Sequence, residues 1–151
     1  MGHSIQGEEG EVEQMNDVTV CPICGGSVRH VHEDRTITLG SRHVEVADEF
    51  GRCESCNETF HDPDRSMAVQ REAADRIRVE EGLLMPSEII AIRESLGLTQ
   101  TTFEKLLGVG VKTVVRWERG TVFQSKGIDS LLRSVGSVAG VAIHPASRRL
   151  R

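Results

Sequence analysis

Residues 98–120 read LTQTTFEKLLGVGVKTVVRWERG. Thr99 carries a side-chain oxygen that can cap a helix, and Phe103, Leu106 and Leu107 follow as its apolar face. Gly108 permits the left-handed turn that closes such a helix. A second helix is expected from about Val111 to Arg119, with Val114, Val115 and Trp117 turned inward and Gly120 as its stop. A short helix, a glycine turn and a second helix with polar residues in its leading half form the helix-turn-helix that reads the DNA major groove.

The residues that would read DNA follow from this placement. Thr99 and Gln100 stand at a helix start, where N–H groups and short polar side chains hold a backbone phosphate. Lys112, Thr113 and Arg116 occupy the leading part of the second helix, and Lys112 and Arg116, four apart, share a face. Arg reaches two acceptors on guanine at once, and Thr touches a thymine methyl. Arg119 and Lys126 complete the candidate DNA-contacting set. Trp117 is expected in the core, and Glu118 is expected to pair with an arginine. A plain helical hairpin with solvent-facing cations accounts less well for Thr-Gln, the glycine turn and Trp-Glu-Arg-Gly together.

The flanks are helical as well. Ser87 can cap a helix in which Ile89, Ile90, Ile92, Arg93 and Leu96 follow and which Gly97 closes. A fourth helix is expected near Ser125, with Ile128, Leu131, Leu132 and Val135. Residues 86–151 therefore read as one all-α unit. One reading helix spans too few base pairs to select a site, so a homodimer on a palindromic operator is expected, with half-sites about 10 base pairs apart or a multiple of that. Its seam is placed between Leu131 and Val141, where Leu132, Val135, Val138 and Val141 are more apolar than a lone four-helix domain needs. Upstream, residues 64–81 form a helix candidate with Met67, Ala74, Ile77 and Leu84 on one side and Gly82 as its stop. Residues 67–85 read as a linking helix.

The other informative pattern is Cys21-Pro-Ile-Cys24 and Cys53-Glu-Ser-Cys56, two CxxC knuckles with 28 residues between them. Each knuckle aims two thiolates at one metal, and two knuckles complete a tetrahedral sulfur shell. Gly25-Gly26 allows the tight turn. A redox pair would need one CxxC to open a helix in a strand-helix-strand unit, which is absent. One structural Zn²⁺ per chain is expected on Cys21, Cys24, Cys53 and Cys56, with no open position for a substrate. Short strands are expected between the knuckles, around Val28–Glu33, Thr36–Leu39 and Val44–Val46, forming the arm of a ribbon. His30 and His32 alternate on a strand, and His43 and His61 are placed in loops. With the shell full, none is expected to bind metal. The zinc module is placed at residues 21–66.

Composition supports two small modules over one large domain. Apolar residues make up 38% of the 151 and aromatics 3%, thin for a single large core. The charge divides along the chain. Residues 1–20 carry five acids and no Lys or Arg; residues 21–66 are net −4, 67–85 net −1, and 86–151 net +5. Residues 1–20 read as a disordered acidic tail, and 147–151 as a basic one. No apolar run has the length of a membrane span, and the acidic start is not a signal peptide. A cytoplasmic protein with reduced cysteines is expected.

Residues 98–120 resemble the Xre/Cro-type helix-turn-helix. Together with CPICGG, CESCNETF and the joining helix, residues 21–136 resemble the MqsA antitoxins, also called YgiT-type zinc finger proteins. The resemblance implies a zinc domain that binds and blocks a small basic mRNA-cleaving toxin, and a C-terminal domain that dimerises and represses the operon of both. It places base reading on Lys112 and Arg116. Lys112 stands where the best-known member has Asn, and Glu104 where Xre domains usually carry Ala. Gln124-Ser125-Lys126 replaces the proline common before the fourth helix, and the acidic tail is an addition.

The expected fold class is α+β: a small N-terminal zinc-bound β-rich module, a linking helix and a C-terminal all-α helix-turn-helix domain. The expected function is a transcriptional repressor and antitoxin with double-stranded DNA, a second copy and a small basic toxin as partners, and no membrane. A stand-alone Xre-family regulator with a structural or sensing zinc ribbon is the alternative. An enzyme is not expected, because the chain offers no open metal position and no nucleophile motif.

Overall fold

The computed structural model describes residues 18–144. Most of the acidic N-terminal stretch and the basic residues 147–151 lie outside them. The element order is β1 (Val28–Leu39), β2 (Arg42–Cys53), β3 (Thr59–Phe60), α1 (Pro63–Glu81), α2 (Pro86–Ser95), α3 (Gln100–Leu107), α4 (Thr113–Glu118) and α5 (Lys126–Val138). The architecture is α+β, as the sequence indicates.

The expected short strands are one long hairpin. β1 and β2 pair antiparallel without interruption from Leu39↔Arg42 to Val28↔Cys53, across the two-residue turn Gly40-Ser41. A turn of that length demands positive φ, which Gly40 supplies at +66°. β3 adds to the far edge of β2 through Gly51↔Phe60 and Arg52↔Thr59. Alternation then selects a buried face: Val31 and Ile37 from β1, and Val44, Val46, Asp48 and Phe50 from β2. His43, placed in a loop by sequence, lies within β2.

α1 covers part of that face. Asp62 caps it by accepting the Arg65 N–H at 2.8 Å, Pro63 pre-sets the first turn, and Gly82 (φ +67°) ends it. Val69, Ala73 and Ile77, four apart, pack on Ile37, Val44 and Val46 to form one apolar core. Met67, assigned to this face by sequence, is half exposed, and Val69 takes its place. At 3.6 residues per turn Met67 lies about 120° around the helix from the centre of the face that Val69, Ala73 and Ile77 present to the sheet, so it stays at the edge of the contact. The helix is thus more than a link: it completes the N-terminal core.

The second core lies among α2–α5. Leu84, Ile89, Ile92, Phe103, Leu107, Val114, Trp117 and Leu132 form its buried centre. Leu106 is 60% exposed, so only Phe103 and Leu107 of the expected α3 face face inward. Val115 is half-buried. The cap of α2 is Met85, not Ser87: Pro86 takes the first helical position, and Glu88 reaches back to the Met85 N–H at 2.7 Å. Thr99 and Ser125 cap α3 and α5 as expected. Gly136 is a packing residue of α5. A Cβ there would lie 2.5 Å from Ile143 and 3.0 Å from Ile92.

The connection between the two cores is received by a buried carboxylate. Asp129 accepts the Leu84 N–H at 2.7 Å, the Gln124 amide at 3.0 Å and Arg133 Nε at 2.8 Å. Gln124 also donates to the Leu84 carbonyl, and Arg133 to the Gly82 carbonyl. These bonds satisfy the backbone of the 82–85 connection, which enters the second core with Leu83 and Leu84 fully buried. Gln124 fills the place of the missing proline with this role.

Asp129→Ala should therefore strand the buried Leu84 N–H, take one acceptor each from Gln124 and Arg133, and lower stability by about 3 kcal/mol. Urea unfolding followed by circular dichroism measures this. An unchanged midpoint would remove Asp129 from its place at the junction.

Candidate metal centre and nucleic-acid interface

Each cysteine pair sits in a turn that its own backbone closes. In the first knuckle the Cys21 N–H donates to the Gly26 carbonyl at 2.8 Å, the Gly25 N–H donates back to the Cys21 carbonyl at 2.9 Å, and Gly25 takes φ +74°. The second repeats the pattern: the Cys53 N–H donates to the Glu58 carbonyl, the Asn57 N–H to the Cys53 carbonyl, and Asn57 takes φ +59°. The uninterrupted β1–β2 register carries Cys53 back beside the first knuckle. Gly26 is where they touch; a Cβ there would fall 2.5 Å from Ser55 Oγ and 3.2 Å from Cys53 Sγ.

The four Sγ atoms lie within 4.8 Å of one another, with Cys21–Cys56 at 3.7 Å and Cys24–Cys53 at 3.4 Å. A tetrahedron with metal–sulfur bonds of about 2.3 Å has edges near 3.8 Å, so the set fits one zinc ion. The all-sulfur donor set selects zinc over hard cations. Cys21 and Cys53 are buried, Cys24 and Cys56 exposed. The backbone N–H groups of Cys56 and Ser55 pull the Cys53 thiol down to about 6. At Cys56 the Glu58 N–H pulls the same way, but burial and hydrogen bonds from the other three thiols push it up to about 12. The turns therefore prepare one thiolate, while the crowded set resists full ionisation unless a cation joins it.

Among the described residues the histidines stand apart from this cluster. His32 lies 3.6 Å from Glu49, His43 pairs with Thr38 at 2.9 Å, and His61 packs on Phe50 beside Arg35.

The second candidate site is built on α3 and α4. The α3 cap Thr99 accepts the Thr102 N–H at 3.2 Å, and Gly108 (φ +69°) ends the helix. Val109, Gly110 and Val111 then lead to Lys112, whose φ of +62° turns the chain into α4. α4 is shorter than expected, and Lys112 caps it instead of lying in its first turn. Lys112 and Arg116 are therefore not stacked as neighbours four apart on one helix face. A β-carbon residue with positive φ is strained, and the tight Gly-Val-Gly-Val connection imposes it here.

Glu104 explains its own departure from the usual alanine. Buried within α3, it accepts the Val114 N–H at 3.1 Å and so satisfies the first turn of α4. Glu118 is held by Arg93 at 2.6 Å, the arginine pair expected from sequence, and by the Gln100 amide at 2.7 Å. Arg93 also donates to the Leu98 carbonyl. Arg93, Gln100, Glu104 and Glu118 thus fix the angle between the two helices from inside. Gln100, assigned by sequence to a phosphate, has its amide nitrogen engaged on Glu118. The roles of Arg93 and Glu104 were missed, although an acid inside an apolar helix face is a signal for a buried cap.

What remains outside is basic. Thr99, Lys112, Arg116, Arg119 and Lys126 are exposed, and Thr113 is half-buried. Among the described residues no carboxylate forms an ion pair with Lys112, Arg116 or Arg119. No helix among the described residues is long and apolar enough to cross a membrane. The family model described as the antitoxin component of bacterial toxin-antitoxin system, MqsA, matches residues 19–137, from the first knuckle through most of α5. No curated protein matches the chain.

Purified protein should contain one zinc per chain. Re-adding zinc to the chelated protein should release protons near neutral pH, because the raised Cys56 thiol must give one up. Affinity should fall as pH drops and protons compete for the thiolates. Elemental analysis with a pH-indicator titration measures both. Metal-free protein with four titratable thiols would remove the metal centre.

Proposed function

Since the chain belongs to the MqsA antitoxin family, we propose that it is a repressor-antitoxin that binds double-stranded DNA through α3 and α4 and a toxin through its zinc module. The observation that supports DNA reading is the division of polar groups around α4. Arg93, Gln100, Glu104 and Glu118 are spent on internal bonds, and Lys112, Arg116 and Arg119 are left outside without ion pairs among the described residues. Charge left unpaired beside a short helix on a rigid support suits a polyanion. In this reading Arg116 contacts a base edge, Lys112 and Thr113 lie at the leading end, and Thr99, Arg119 and Lys126 approach phosphates. Gln100 acts through Glu118 by orienting α3 against α4.

The protein is a binding module with no enzymatic role in this reading, and two copies act together through the C-terminal domain. Leu132, Val135 and Val141 belong to the monomer core, so they are withdrawn from the seam. Leu131, 41% exposed, and Val138, 91% exposed, remain available on α5. For the toxin side, the support is charge. The zinc module is net acidic, and a protein that cleaves RNA is expected to be basic, which would speed association.

Arg116→Ala should cost about 1–3 kcal/mol on the cognate operator and relax sequence preference, with little loss on unrelated DNA. Titrations against operator and scrambled duplexes measure the difference; equal losses on both would reassign Arg116 to a phosphate.

The full-length protein should co-purify with the product of the adjacent gene, and the Arg116→Ala variant should do so equally. Salt should slow association more than it speeds dissociation. If no adjacent product binds, the chain is a stand-alone regulator; if the Arg116→Ala variant loses the complex, the partner is held by the C-terminal domain and not by the zinc module.

A further inference from the structure

Phe123 lies in the loop between α4 and α5, yet its ring reaches the other module. The Arg42 guanidinium, at the start of β2, lies 4.5 Å from the ring centroid, and that of Arg78, in the last turn of α1, lies 4.8 Å from it. Both fall within the range of cation–π attraction. The ring also packs against the apolar core between the hairpin and α1.

Neither cation is loose. Arg42 is bidentate to Glu81 at 2.6 and 3.0 Å. Arg78 is 2% exposed; it donates to the Gly120 carbonyl at 3.0 Å and to Asp75 at 3.2 Å. A buried guanidinium with one half-exposed carboxylate is short of partners, and the negative face of the ring supplies another. Gly120 and Phe123 both lie just past α4, so the contact ties the sheet and α1 to the segment that follows the proposed reading helix.

The covalent crossing between the modules leaves α1 at Gly82, whose φ of +67° marks a sharp change of direction. Beyond it the chain is anchored in the helical core by Leu83, Leu84 and Asp129. A module tied only there could swing about the end of α1. A groove between the modules, lined by Leu39, Arg42, Met67, Arg119 and Phe123, leaves the ring reachable from solvent.

We propose that Phe123 is an interdomain latch. Held by Arg42 and Arg78, it keeps the sheet with α1 and the four-helix domain as one rigid body; its release lets the zinc module swing about Gly82. The distance and angle between the metal-centre end of the hairpin and α4 are then set by this contact. The inference is independent of what either surface binds.

Backbone amide relaxation on the full-length zinc-loaded protein tests it. In the unaltered protein the amides of β1–α1 and of α2–α5 should share one rotational correlation time. Phe123→Ala should split this into two values, shorter for the zinc module. Phe123→Leu keeps apolar contact but lacks the ring, and should split it as well. Zinc content and circular dichroism establish that each variant is folded. If Phe123→Ala does not fold, Arg42→Gln replaces it and should give the same split. Two values in the unaltered protein, or one value in the folded Ala or Gln variant, would overturn the latch. A split in Phe123→Ala with a single value in Phe123→Leu would overturn the part of the cations, leaving apolar burial as the tie.

Discussion

Four thiols crowded within 4.8 Å of one another cannot all ionise by themselves, and this constraint organises the N-terminal half. A divalent cation removes the conflict by turning mutual repulsion into four bonds. The two knuckles must then lie side by side, which requires the 28 residues between them to leave and return in register. A hairpin of twelve uninterrupted pairs with a two-residue turn does this. The small apolar core between the hairpin and α1 is too slight to be the only support of that end. Metal binding and β pairing therefore reinforce one another: each fixes the geometry the other needs.

The helical half solves a different problem, that of holding a six-residue helix at a defined angle. So short a helix has little stability of its own. Val114 and Trp117 anchor it in the core, Glu104 satisfies its first turn, and Glu118 ties it to Arg93 and Gln100. The strained Lys112 turn is tolerated because these contacts determine the path on both sides of it. Charged groups that look surface-like in sequence are thus divided into an internal scaffold and an external basic face.

Between the halves, polar groups do what apolar packing does elsewhere. Asp129, Gln124 and Arg133 receive the backbone of the connection, and Arg78 bridges from α1 to Gly120. Such groups are costly to bury unless each finds its partners. Their geometry is accordingly specific: it fixes the path of the 82–85 connection, and the Arg78 bond to Gly120 lies beside the Phe123 contact.

Much of this was legible in the sequence, because some features depend only on neighbours along the chain. The CxxC spacing states a metal-ligating turn by itself. Thr99 and Ser125 with Gly82, Gly97 and Gly108 mark helix ends through local hydrogen bonds and backbone freedom, and alternation marks the strands. Other features depend on what lies across space. Nothing local distinguishes Gln100, which bonds inward, from Arg116, which faces out. Leu132, Val135 and Val141 are apolar for a monomer core or for a dimer seam alike until the fold shows which surface they meet. Val69 and not Met67 faces the sheet because the angle of α1 is set by the hairpin beneath it. The meeting of Arg42, Arg78 and Phe123 joins residues up to 81 positions apart and exists only once the chain has folded. Periodicity and spacing record the constraints of a single element; the partner of a charged or aromatic side chain is chosen by tertiary packing, which balances desolvation against the contacts available in three dimensions.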